Sequence, residues 1–223
     1  QLELLGEALA TGLLREHSTA GRYAFSHALV RQTLYDELGL SQRVIAHRNT
    51  AAVLERLYGD NSPEHLSELA FHLFESAVSG DPLRSVEMSV RAAELAHRQF
   101  GYDESVRHYE RALEALEFAG DADPSVQCEL ILNQAEARWD AGQRDLSHDQ
   151  FRRAAGIARE LDRPELLARA AVGMRSYGDN TRPDAETVRL LEGALESVGD
   201  GFPVWRARIL SRLTYCAPHT ESM

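Results

Sequence analysis

AAELAHRQFGYDESVRHYERALEAL, residues 92–116, decides the fold. Apolar residues recur at helical spacing on either side of Phe100-Gly101-Tyr102, so the stretch reads as two helices joined by a tight turn. Ala93, Ser105 and Ala112 are small, and Tyr109 stands three residues before Ala112. Small side chains let two helices approach closely, and an aromatic fills the space left between them. The expected product is a helical hairpin.

The pattern recurs. An offset of 42 residues carries Ala93, Ser105 and Ala112 onto Ala135, Ser147 and Ala154, puts Phe151 where Tyr109 stood, and marks a new turn at Gly142. A looser copy places Leu191 and Ala194 in register after a stretched turn at Gly178–Pro183, and a further unit starts at Pro203. The layout resembles the tetratricopeptide (TPR) hairpin, in degenerate form: the first helix lacks that motif's Trp and Gly, and the spacing exceeds its ~34 residues. The expectation is a mainly α chain, a TPR-like right-handed helical repeat array over 63–223, with hairpins at about 84–118, 124–161 and 164–198 and a partial unit from 203.

Upstream the pattern changes. Residues 2–9 are helical in spacing and Gly12 closes them; Leu13–Glu16 and Arg22–Phe25 read as two short strands with a turn at Ser18–Gly21. A helix follows to Leu38, with Ser26 as N-cap, and another from about Ser41 to Tyr58 with Val44, Ile45, Ala52, Leu54 and Leu57 as its apolar face. Helix, hairpin, helix is expected to be the C-terminal part of a winged-helix domain over 1–58, inside a larger fold. Gly59–Pro63 is the expected boundary, and Pro63 the first turn of a helix running to about Val78.

Composition narrows the chemistry. The net charge is −11, and all 24 basic residues are arginine. Without lysine there is no Walker A loop, pyridoxal Schiff base or Ser-Lys dyad within this chain. Residues 1–58 hold six arginines and six acids, so residues 59–223 carry the whole imbalance, which argues against direct nucleic-acid binding. No apolar run approaches the ~20 residues of a membrane helix, no secretory leader is expected, and two isolated cysteines, Cys128 and Cys216, suit a reducing cytoplasm.

The block Tyr23-Ala24-Phe25-Ser26-His27-Ala28-Leu29-Val30-Arg31-Gln32-Thr33-Leu34-Tyr35, with Arg43, His47-Arg48 and residues 51–55 after it, resembles STAND-type ATPase regulators. These include LuxR-type transcriptional regulators with a central P-loop ATPase, and cyclase-linked relatives. The resemblance implies the order ATPase, winged helix, TPR-like array, often with a DNA-binding output domain. ATP/ADP and Mg would then belong to an ATPase outside this chain, contacted by it intramolecularly. Phe25–Val30 is similar to the MHD segment of such ATPases, whose histidine reaches the phosphates of ADP. That makes His27 a nucleotide-sensing candidate in a parent protein, although Ala28 stands where the segment has Asp. The other reading of His27 is a helix cap or a local packing residue.

The expected function is a non-catalytic sensor and scaffold that binds a protein or small effector in its groove. The alternative is a stand-alone TPR interaction adaptor. Groove candidates are Glu94, His97 and Arg98 on the first inner helix, and Asn133, Glu136, Trp139 and Asp140 on the second. His65, Glu68 and His72 share a helix face but lack HExxH spacing and a third ligand, so no metal site is expected. No catalytic constellation stands out: Asp103, Glu104, Asp121 and Asp123 lie where acids favour helix starts. Phe202, Trp205 and Tyr215 could mediate self-association near the C-terminus.

Overall fold

The computed structural model describes residues 2–17, 23–60, 62–175 and 185–216. Among them are eleven α-helices and one two-stranded antiparallel sheet. In order they are α1 (Leu2–Ala10), β1 (Leu14–Glu16), β2 (Tyr23–Phe25), α2 (Ala28–Glu37), α3 (Leu40–Tyr58), α4 (Leu66–Glu75), α5 (Pro82–Arg98), α6 (Tyr102–Glu117), α7 (Pro124–Asp140), α8 (Arg144–Glu160), α9 (Pro164–Gly173), α10 (Ala185–Val198) and α11 (Pro203–Cys216). No described helix is long and apolar enough to cross a membrane.

Helices α5 and α6 pack on each other, as do α7 and α8, and α6 packs on α7. The sequence explains each end. Asp81 and Asp123 cap α5 and α7, accepting from the amides of Arg84 (2.9 Å) and Ser125 (2.8 Å), each with proline at the first helical position. Such caps contribute about 1 kcal/mol each. Three turns share one hydrogen-bond pattern. The amides of Gly101, Gln143 and Arg163 donate back to the carbonyls of Ala96, Arg138 and Ala158, while Phe100, Gly142 and Asp162 donate to His97, Trp139 and Arg159. This is the Schellman arrangement, with the middle residue in the left-handed region. In the first turn that residue is Phe100 (φ 63°), not the neighbouring Gly101.

The small positions Ala93, Ser105, Ala112, Ala135, Ser147 and Ala154 are all fully buried. So is Phe151, and Tyr109 is 6% exposed. Three neighbouring cores result. One joins α3, α4 and α5 through Ala51, Leu54, Leu69 and Met88. The next joins α5, α6 and α7 around Tyr109 and Leu116, and the largest spans α7 to α11 around Phe151, Ile131 and Leu191.

Several local expectations change. The N-cap of α2 is His27, not Ser26, whose hydroxyl donates instead to the carbonyl of Gly12 and ties α2 to the end of α1. On α3 the buried face is Val44, His47, Ala51 and Leu54, while Ile45 and Leu57 are exposed. Helix α4 starts at Leu66, because residues 63–65 form a turn closed by His65 N–H on Ser62 O at 3.1 Å. It ends at Glu75, followed by a short 3₁₀ turn at Ala77–Ser79. The strands pair Leu14 with Phe25 and Glu16 with Tyr23. The turns expected at residues 18–21 and 178–183 lie outside the described residues. So does the Tyr215 side chain. Phe202 is exposed, while Trp205 packs partly into the largest core.

Among the described residues, none before Val44 is buried. The break in burial therefore falls earlier than the sequence break at Gly59–Pro63. Arg84 spans that sequence break, donating to Glu55 (3.3 Å), Asp60 (2.9 Å) and Glu87 (2.8 Å). Its hydrogen bond holds the Asp60 carboxyl below the usual carboxylate range.

Candidate functional site

The packing of α5, α6 and α7 leaves a cleft of about 210 Å³, lined by Glu94, His97, Arg98, Tyr109, Asn133 and Glu136. Five of the seven groove candidates meet there. Of the remaining two, Asp140 at the end of α7 lies 3.3 Å from His97 Nε2 on α5. Trp139 faces elsewhere: it stacks on His148 with centroids 5.7 Å apart, and the guanidinium groups of Arg144 and Arg175 lie over its ring. It belongs to an aromatic and cationic cluster between α7 and α8, not to the cleft.

Sequence reasoning gives Tyr109 a packing role alone. Its ring does pack in the core, but it also lines the cleft, and its hydroxyl makes no hydrogen bond with a described residue. Burial, then the charges of Glu94 and Glu136, push its pKa up to about 12, against the opposing pull of Arg169. The hydroxyl therefore stays a donor through the physiological range. Arg169 also fixes the opposite wall, giving Nε–H to Glu136 Oε1 at 2.9 Å and a second N–H to Asn133 Oδ1 at 2.7 Å. With its oxygen so engaged, Asn133 turns its NH₂ group to other acceptors. The cleft thus offers Tyr109 and Asn133 as neutral donors between two carboxylates. Both carboxylates are already ion-paired, Glu136 with Arg169 and Glu94 with Arg98 (4.0 Å), so the open capacity suits a hydrogen-bond acceptor such as a peptide carbonyl.

His27 is exposed, and its side chain makes no cap hydrogen bond to α2. The cap reading is met only by its extended backbone (φ −137°, ψ 138°). His65 and His72 separate: His65 precedes α4 and stacks on Tyr58 at 3.7 Å, whereas His72 faces α3. Among the described residues no three His, Cys, Asp or Glu side chains converge to hold a metal ion.

Two histidine clusters escape sequence reading. In the first, Tyr35 Oη lies 3.0 Å from His47 Nε2, and His47 Nδ1 lies 2.8 Å from His72 Nδ1. This chain of contacts links α2, α3 and α4. One of the facing Nδ1 atoms must donate and the other accept, so a doubly protonated pair is repelled. In the second, Ser67 Oγ sits 2.8 Å from His108 Nε2 and 2.9 Å from Glu104 Oε1. A nucleophilic triad needs its carboxylate on the far imidazole nitrogen. Here Nδ1 faces Arg111 at 3.5 Å, so the geometry is that of a hydrogen-bond cluster joining α4 to α6.

Both clusters make folding pH-dependent. Burial lowers the pKa of His72, with His47 adding to it and Glu68 opposing. Burial also lowers that of His108, with Arg111 adding and Glu104 opposing. The unfolded chain then binds protons near pH 6.5 that the native state refuses, so stability falls as pH drops through that value and levels off below the folded-state pKa values. Urea midpoints are expected to decline from pH 7.5 to 5.5, and His72→Gln is expected to flatten the slope. A slope unchanged in that variant would remove His72 from the account.

The chain matches no family model and no curated protein.

Proposed function

We propose that this chain is a non-catalytic sensor and scaffold, a TPR-like array preceded by a winged-helix segment. In this reading it binds a protein or small effector in the α5–α6–α7 cleft and relays that event to an ATPase elsewhere in a STAND-type regulator. The observation that carries the reading is Tyr109, whose ring is buried in the core while the residue also lines a cleft between α5, α6 and α7 and its hydroxyl has no partner among the described residues. A relay to the N-terminal segment has a physical route in the Tyr35–His47–His72 contacts. Stacked helices change curvature with little loss of core, which lets a ligand bias a two-state neighbour.

The chain has no lysine, His27 is exposed, and the described residues hold no three-ligand metal cluster. In this reading nucleotide chemistry belongs to the ATPase, and the side chains of this chain bind and relay.

An antibody raised to the chain is expected to detect a native polypeptide several times larger than 24.9 kDa. A band near that mass would favour the stand-alone adaptor reading. Within the larger protein, Tyr109→Phe is expected to change stability by under about 1 kcal/mol, because the lost hydroxyl has no partner among the described residues. The same variant is expected to abolish effector-dependent change in ATP hydrolysis. Retained control would sink the cleft as the effector site.

A further inference from the structure

A second cleft, of about 590 Å³, is lined from α4, α6, α7 and α8 and shares no residue with the first. Its floor holds polar atoms that the described residues leave unsatisfied. Gln134 is 2% exposed, and its side-chain amide makes no hydrogen bond with a described residue. Gln150 Oε1 is buried without a described partner as well. Arg138 gives two N–H groups to Gln143 (3.3 Å) and Glu110 (2.8 Å), but its Nε–H is buried and unmet. Buried polar groups are nearly always paired, so three orphans lining one cleft require an explanation.

We infer that this cleft binds an extended basic peptide segment, held by the amides of Gln134 and Gln150. The hydrogen-bond demand is mixed: the two amide oxygens need donors, while Arg138 Nε–H needs an acceptor. A lone cation supplies only donors and an anion only acceptors. The edge of an extended main chain supplies both in alternation. The rim gives the sign of the side chains. Among the described residues Glu75, Glu114 and Glu117 form no ion pair, Glu110 is taken by Arg138, and Arg111 is drawn over the Phe71 ring at 5.3 Å. The uncommitted charge is mostly negative, with Arg107 opposing it.

The test uses the whole chain, labelled with ¹⁵N, and an acetylated, amidated hexapeptide alternating alanine and arginine. The side-chain NH₂ signals of Gln134 and Gln150 are expected to shift saturably, and an alanine–glutamate hexapeptide is expected to leave them in place. Gln134→Leu is expected to weaken binding at least tenfold while Tm holds or rises, because it removes an unmet amide from a buried position. A fall in Tm would mean that the amide already has a partner in the free protein, such as an enclosed water, and would overturn the inference. Equal binding of the two peptides would overturn it too, as would no shift at all. Should Gln134→Leu fail to fold, Glu114→Ala with Glu117→Ala tests the exposed rim: at least fivefold weaker binding supports the inference and unchanged binding refutes it.

Discussion

Phe151→Ala is expected to cost about 3–5 kcal/mol, the largest effect of any substitution considered, because it empties the centre of the main core. Phe151 is fully buried on α8 among residues of α7 to α11. Its ring lies over Gly173, the last residue of α9, where an added Cβ would fall far inside van der Waals distance of three ring carbons. Ring and glycine are therefore complementary: the absence of a side chain at 173 makes the room that Phe151 fills. Gly173→Ala alone forces the ring or α9 to move and is expected to cost about 2–3 kcal/mol by overpacking. Phe151→Leu with Gly173→Ala should cost less than the two single changes added together. Urea denaturation of the four proteins gives the coupling energy, and strict additivity would mean that the two residues do not share this space.

That site shows which features the sequence carries openly. Phe151 was legible, because the 42-residue offset puts it where Tyr109 stands in the preceding hairpin. Gly173 was not, because nothing in a helical run of Leu, Ala and Val says which neighbour it faces. Small and aromatic residues announce close helix contact by their size, and the structure buries them. Capping residues are equally local: the pair Asp81-Pro82 recurs as Asp123-Pro124 at the same offset, and both aspartates cap. Buried polar residues are a different matter. His47, His108 and Gln134 look like surface residues in a periodicity plot, yet each is at least 94% buried. His47 displaced the expected apolar face of α3, since a histidine held between Tyr35 and His72 can occupy a core position.

The candidate site divides the same way. The 42-residue offset sets Glu94 on α5 against Glu136 on α7, and both line the cleft together with His97, Arg98 and Asn133. Trp139 is also on α7, but its partners Arg144, Arg175 and His148 come from other elements and draw it aside. Register also gives no sign that Arg169, on α9, engages both Asn133 and Glu136 and leaves Tyr109 as the free donor. Contacts of this kind depend on long side chains crossing between hairpins, and sequence spacing does not encode where those side chains end.

The small positions allow the second large prediction. Ala135→Leu is expected to destabilise by about 1–3 kcal/mol. Ala135 is fully buried on α7, and its carbonyl accepts from Ser147 Oγ at 2.7 Å, so the facing helix cannot back away without losing that bond. Ala93 on α5 is likewise fully buried, and Ala93→Leu should cost about as much. Ala52 supplies the control. It sits on the face of α3 that the apolar pattern marks as inward, yet it is exposed, so Ala52→Leu should stay within about 0.5 kcal/mol. Urea midpoints for the three variants decide the matter. Equal costs at Ala93 and Ala135 would mean that the two hairpins meet the same steric limit at the same register, as copies of one repeat must. A cost at Ala135 alone would confine the close approach to α7 and α8, and the repeat reading would lose its physical basis.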